Sequence, residues 1–228
     1  MGIALNANPA VKWYFEQRCP ELASVVSELV SNAPIVADTE HVREAEVYAL
    51  ASVEDFIVYT TPDVMGEKCD FIRGWDKKRL IELADFQGKT VLDVGAGSGR
   101  LAFAATEEAS WVYASEPVGT LREYMKDKAK LEGIKNIRVL DGLITELPFP
   151  DDTFDIVMCG HVVGDDFDAE LAEIERVCKS GGYLLDCPGD SEGDIRPSPE
   201  LIRRGWEEFY YIGSFGKDVY NYRKKVVK

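Results

Sequence analysis

Short apolar runs and helix-period segments alternate along most of this chain. Residues 91–94, 111–115, 137–143 and 154–159 are rich in β-branched and aromatic residues and bounded by Gly, Pro or Asp. Runs of this length read as buried strands. Residues 101–108 and 168–177 carry apolar positions at helical spacing. The second helix is expected to end at Gly181-Gly182, where a fifth strand begins. Ser198-Pro199-Glu200 reads as an N-cap with a first-turn proline. It opens a short helix over 201–204, with Gly205 as its stop. Residues 207–213 and 219–227 then form a terminal hairpin around Ser214-Phe215-Gly216-Lys217-Asp218. Strands that alternate with helices predict an α/β layered fold.

The first third of the chain is patterned differently. Val11, Phe15, Leu22, Val26 and Leu29 fall on one helical face. A second helix is expected over 39–53, with Val42, Ala45, Ala49 and Leu50 inward. Phe56-Ile57-Val58-Tyr59 is a strand or a loop anchor, and residues 80–84 belong to the helix that leads into the first strand. The expected division is 1–75, a helical extension, and 76–228, the α/β core of a chain that is one domain overall.

The densest chemistry lies in Val91-Leu92-Asp93-Val94-Gly95-Ala96-Gly97-Ser98-Gly99-Arg100. A strand ends in an acid, three glycines follow at alternate positions, and a helix starts. Glycines here let the chain turn sharply and let a ligand touch bare backbone. The helix N-terminus offers free N–H groups to an anion. A dinucleotide fingerprint would read G-x-G-x-x-G, with its third glycine one step later. A carboxylate two residues before the first glycine would also repel a pyrophosphate. It suits an ammonium group, so the expected ligand carries a cation and an anion, as an amino-acid moiety does.

D-x-G-x-G-x-G resembles motif I of the class I S-adenosylmethionine-dependent methyltransferases. Leu147-Pro148-Phe149-Pro150-Asp151-Asp152-Thr153-Phe154-Asp155-Ile156-Val157 resembles their small-molecule branch, which includes the ubiquinone- and menaquinone-type enzymes. Lys179-Ser180-Gly181-Gly182 stands where the family usually has Lys-Pro-Gly-Gly. The resemblance spans about residues 75 to 228. It implies a Rossmann-like sheet of seven mostly parallel strands, helices on both faces, an antiparallel last strand and an N-terminal helical cap. It also implies S-adenosylmethionine as cofactor and S-adenosylhomocysteine as product.

The cofactor residues that it implies are Asp93, Gly95, Ala96, Gly97 and Gly99 in the loop. Glu116 and Pro117 end the second strand, where an acid accepts both hydroxyls of a ribose. Asp141, Gly142 and Leu143 follow the third strand, with the acid facing the adenine amino group. Cys159 and Gly160 close the fourth. His161, next in line, is the candidate base, since imidazole titrates near neutrality; the alternative is a loop histidine that packs on the cofactor or bonds backbone. Asp165 and Asp166 either serve the reaction or cap the helix that follows. Asp190, Glu192 and Asp194 either recognise a cationic substrate or are solvated. Trp13, Tyr14, Tyr59 and Trp75 are candidate pocket aromatics or ordinary core, and Arg73-Gly74-Trp75 could meet the cofactor carboxylate.

Composition narrows the partners. The 228 residues carry a formal net charge of −15. Such a chain repels polyanions, so nucleic acid and anionic membranes are not expected partners. The five cysteines form no C-x-x-C and are expected to be reduced. Only His41 and His161 offer imidazole, and neither has ligand spacing, so no metal is expected. The start lacks a basic leader, and no apolar run approaches the ~20 residues of a membrane span. The expectation is a cytoplasmic enzyme, monomer or homodimer, that methylates O, N, S or C of a small molecule. The rivals are a protein or RNA methyltransferase and a non-catalytic partner protein. A dehydrogenase is disfavoured by the glycine spacing and by the terminal hairpin.

Overall fold

A computed structural model describes residues 1–228, the side chain of Asp55 excepted. Contacts divide the chain into two compact units, Met1–Ile57 and Val58–Lys228. The division falls earlier than the expected 75/76, because residues 58–75 pack with the α/β unit.

The first unit holds α1 (Gly2–Ala7), α2 (Pro9–Arg18), a 3-10 turn (Pro20–Leu22), α3 (Ala23–Asn32) and the larger part of α4 (Thr39–Thr60). The expected single helical face from Val11 to Leu29 is interrupted. Pro9 and Pro20 each start a new helical segment, as a ring without an N–H does best. Helix α4 runs seven residues past the expected Val53 and absorbs Phe56 to Tyr59. A run that apolar composition left open to strand or loop is therefore helical. Leu50, expected inward, is 66% exposed.

The second unit is built on a seven-stranded sheet. Its helices are α5 (Pro62–Lys68), α6 (Asp70–Arg73), α7 (Lys78–Ile81), α8 (Arg100–Ala105), α9 (Gly119–Leu131), α10 (Phe167–Val177) and α11 (Pro199–Arg203). Its strands are β1 (Thr90–Val94), β2 (Trp111–Ser115), β3 (Ile137–Leu140), β4 (Phe154–Cys159), β5 (Cys178–Asp186), β6 (Glu207–Ile212) and β7 (Asp218–Lys225). Their order is β3-β2-β1-β4-β5-β7-β6. The first five are parallel, and β7 runs antiparallel to both β5 and β6.

Alternation along the strands feeds two cores. Val91, Ile156 and Met158 face one, with Leu101 and Ala102 of α8 and Met125 of α9. Leu92, Val94, Val157 and Cys159 face the other, with Leu171 and Ile174 of α10 and Leu201 of α11. Burial on both faces is why β1 and β4 carry apolar residues at successive positions, 91–92 and 156–159. One joint differs from expectation. Helix α10 ends at Val177 and β5 begins at once, so Gly181 and Gly182 lie inside the strand. There the pairing with β4 slips between Phe154 and Ile156. Gly182 is required at the slip, since a Cβ would stand 2.6 Å from the Asp155 carbonyl oxygen.

The ordering places the β1–α8 turn and the ends of β2, β4 and β5 at one edge. In open α/β sheets that edge, at the point where strand order reverses, is where ligands bind.

Candidate functional site

The turn after β1 takes the shape that its glycines permit. Gly95, Gly97 and Gly99 have φ of +63°, +57° and +88°. Gly99 is the left-handed N-cap of α8 and has no side chain with which to cap it. Asp93 supplies the missing acceptor: its Oδ2 accepts from Ala102 N at 2.9 Å. The acid two residues before the first glycine thus fastens the turn to the helix that follows. Asp93 is 1% exposed. Burial raises its pKa to about 7, against the opposing pull of Arg100 and the Ala102 amide.

Glu116, at the end of β2, makes a second brace. Its Oε2 accepts from Gly97 N and its Oε1 from Val118 N, both at 2.8 Å. The carboxylate therefore joins the glycine turn to the start of α9. Each oxygen keeps a further lone pair for a ligand hydroxyl.

Between these braces and the segment 59–72 lies a cavity of about 250 Å³. It is just below the usual size of small-molecule sites. Asp93, Gly95, Ala96 and Gly97 contribute to its wall. So do Glu116, Pro117, Gly142, Leu143, Gly160 and His161. A Cβ on Gly97 would meet nothing closer than the Met65 sulfur at 3.6 Å, so bare backbone faces the space. Gly95 is held against Val162, 2.5 Å from where its Cβ would be.

Three expected residues stand outside this wall. Gly99 is turned away, packed on Phe103 and Met125. Asp141 is exposed and pairs with Arg122 Nη1 at 3.2 Å, while that nitrogen also donates to the Glu116 and Pro117 carbonyls. Cys159 is buried, and its thiol contacts the Leu185 carbonyl and Asp186 Oδ1. Burial pushes that thiol well above its ordinary pKa, so it is inert as a nucleophile.

His161 follows β4 with φ of +62°, unusual for a side chain of this size. Its ring packs on Phe71 of α6, centroids 4.4 Å apart. Desolvation by these walls, then the charge of Arg100, hold its pKa below the ordinary value; a hydrogen bond to the Pro188 backbone works the other way. The imidazole is therefore neutral at neutral pH.

The other candidates separate cleanly. Asp166 caps α10 by accepting from Ala169 N at 3.1 Å. Asp190 is buried and accepts from Ser214 N at 2.6 Å and the Tyr211 hydroxyl at 3.2 Å, tying the loop after β5 to the hairpin. Glu192 pairs with Arg73 and Asp194 with Lys217. Of the four aromatics, Tyr59 lines the cavity. Trp75 lies under the Arg100 guanidinium at 4.8 Å. Trp13 and Tyr14, in the first unit, are 61% and 54% exposed.

Sequence reasoning missed Met65, Phe71, Ile72 and Arg100 in this wall. Arg100 had a signal: it is the first helical residue after the third glycine, so its side chain must adjoin the turn. The others come from short helices with no fixed spacing to any motif.

The chain is similar to known methyltransferases in sequence and in fold. The methyltransferase-domain family model matches residues 92–186. A demethylmenaquinone methyltransferase of Geobacillus stearothermophilus is 30% identical over 143 residues, covering 60% of this chain and 57% of that protein. The uncharacterized methyltransferase YcgJ of Bacillus subtilis is 32% identical, covering 50% of this chain and 47% of its own. The chain thus spans about half the length of these curated relatives. The crystal structure of a SAM-dependent methyltransferase from Aquifex aeolicus superposes with a TM-score of 0.55 at 25% identity. That match covers 67% of this chain and 90% of the other.

Proposed function

We propose, from the premise that residues 92–186 form a class I S-adenosylmethionine-dependent methyltransferase core, that this protein moves the cofactor's methyl group to a small-molecule acceptor. The observation that carries the reading is one cavity that gathers the open backbone at Gly97, the buried Glu116 carboxylate and the His161 ring. These residues fit the cofactor. Gly97 offers contact without a side chain, Glu116 has acceptor capacity for a diol, and Gly142 and Leu143 offer a wall beyond β3. When bound, the cofactor supplies an electrophilic methyl on a sulfonium.

The chain's own residues supply placement and a proton acceptor. The braces from Asp93 and Glu116 fix the turn before any ligand arrives, which lowers the entropic cost of alignment. The neutral imidazole of His161 accepts the proton that an acceptor hydroxyl or amine must lose, through the ring nitrogen that does not face Pro188. An acceptor of small size, rather than nucleic acid, is supported by the charge of −15 and by the cavity's volume of about 250 Å³.

Calorimetric titration with S-adenosylmethionine, S-adenosylhomocysteine and NAD tests the reading. Binding of the two sulfur compounds and not NAD is expected, and Gly97→Arg, which fills the cavity, is expected to abolish it. Absence of both sulfur ligands from a folded wild-type protein would sink the proposal.

A further inference from the structure

Two groups hold the His161 ring, and Arg100 touches both. The first is the Pro188 backbone. Proline has no N–H, so its carbonyl accepts and the imidazole donates. The second is the Phe71 ring, with centroids 4.4 Å apart. Arg100 Nη2 donates to that same Pro188 carbonyl at 3.3 Å and to the Cys187 carbonyl at 2.6 Å. Its guanidinium also lies over the Phe71 ring at 5.6 Å. His161 is nonetheless exposed as a residue, so these contacts hold the ring without enclosing it.

The guanidinium is fitted closely to the chain around His161. A Cβ on Gly160, the residue before His161, would lie 2.8 Å from Nη2. A Cβ on Gly189, the residue after Pro188, would lie 2.8 Å from Nη1. Bare backbone at both places lets the guanidinium stand against the ends of β4 and β5. Nη1 is buried and has no hydrogen-bond partner. A buried cation so poorly paired costs stability. Such a lapse is expected where a residue serves a site and not the fold alone. Arg100 from α8 and Asp70 from α6 are the charged groups that act on the ring, while the loop after β5 brings the Pro188 carbonyl. Asp70 is occupied, accepting from Phe71 N and Glu192 N at 2.9 Å each. A guanidinium that shares one carbonyl with an imidazole repels a second positive charge there, so the neutral ring is favoured.

We infer that Arg100 is a positioning residue for His161: it fixes the Pro188 carbonyl and the Phe71 ring, so that one imidazole nitrogen donates and the other keeps its lone pair for an acceptor's proton. This rests on the methyltransferase reading of the same cavity, in which His161 is the base. The tautomer is then set before any acceptor arrives, which a general base requires. Arg100 acts through the ring and not on the acceptor.

The chain has two histidines, so its ring signals are few. His41, paired with Asp38, is the internal control. Imidazole nitrogen shifts of the full chain are followed by NMR across the titration range of histidine, with His161 assigned by its loss in His161→Gln. In the wild type one neutral tautomer of His161 should exceed the other by about fivefold or more, the worth of a hydrogen bond that only one can make. Arg100→Gln should lower that ratio severalfold and raise the His161 midpoint, with His41 unchanged. Arg100→Lys, which keeps the charge, should bring the midpoint back toward wild type. Phe71→Leu leaves Arg100 in place and removes the ring between it and the imidazole. It should lower the tautomer ratio as well, and it serves in place of Arg100→Gln if that variant does not fold. A wild-type ring in two comparable tautomers would overturn the inference. So would an Arg100→Gln midpoint within about 0.2 unit of wild type. Calorimetric titration with S-adenosylhomocysteine checks the underlying reading separately. If that compound fails to bind while the ring follows Arg100, the methyltransferase reading falls and the hold of Arg100 on His161 stands. If it binds while the ring ignores Arg100, the reading stands and the positioning role falls.

Discussion

Glu116→Gln probes the brace that holds the glycine turn. In the native protein two backbone N–H groups, those of Gly97 and Val118, each donate to one carboxylate oxygen at 2.8 Å. The side chain is 5% exposed, so water cannot replace either bond. Hydrogen bonds to a charged group contribute about 1.5–3 kcal/mol each, neutral ones about 1. A glutamine keeps one acceptor oxygen and turns an NH₂ toward the other donor, whichever way the amide is flipped. One charged bond is lost, the other becomes neutral, and the cheaper burial of an amide offsets part of this. The net loss is about 2 kcal/mol. In a protein of this size that lowers Tm by about 4–8 °C. Calorimetric or fluorescence melts of the two proteins at one pH read it directly. S-adenosylhomocysteine affinity should fall as well, since the turn is then held by Asp93 alone. A melting point within about 1 °C of wild type would refute the brace.

Two further outcomes follow from the ionisable groups. Asp186 is buried at the end of β5, and burial raises its pKa to about 7 from an ordinary 3.8. The folded state thus binds a proton that the unfolded state releases, and this group costs stability as pH rises from about 4 to 7. Asp186→Asn keeps an acceptor for the Cys159 thiol and removes that cost. Urea denaturation should show the variant gaining on wild type by about 1 kcal/mol or more between pH 5 and 8, and parallel pH profiles would count against it. His161 is held below its ordinary pKa, so turnover with an acceptor should fall only as pH drops below about 6.5. His161→Gln should lose that acid limb while S-adenosylhomocysteine affinity is unchanged; a limb that survives the substitution would move the base elsewhere.

The α/β half of the chain was legible because its constraints are local. Strands β2 and β4 begin and end where the apolar runs do. Ser198 caps α11 by accepting from Leu201 N, as its place before Pro199 predicts. The glycine turn was readable because few residues adopt positive φ. What stayed hidden depended on partners far away in sequence. Gly181-Gly182 signals a break, but only the contact with the Asp155 carbonyl turns it into a slip within a strand. Asp141 ends its strand as expected, yet Arg122 draws it to the surface. The acidic loop after β5 was split by burial, with Asp190 inside and Glu192 and Asp194 outside. Met65 and Phe71 reach the cavity from helices of seven and four residues that no periodicity could mark. In the first third, two prolines outweighed a helical face that five apolar residues had drawn.

Met65 lies against the open side of Gly97 and belongs to a small apolar cluster with Cys69 and Leu121, apart from the two cores of the sheet. So few buried contacts hold α5 that detaching it costs far less than unfolding the strands. This part of the cavity wall is thus held by a handful of side chains, apart from the cores that hold the sheet. Met65→Ala, which thins that cluster, is therefore expected to loosen this wall and leave the sheet folded.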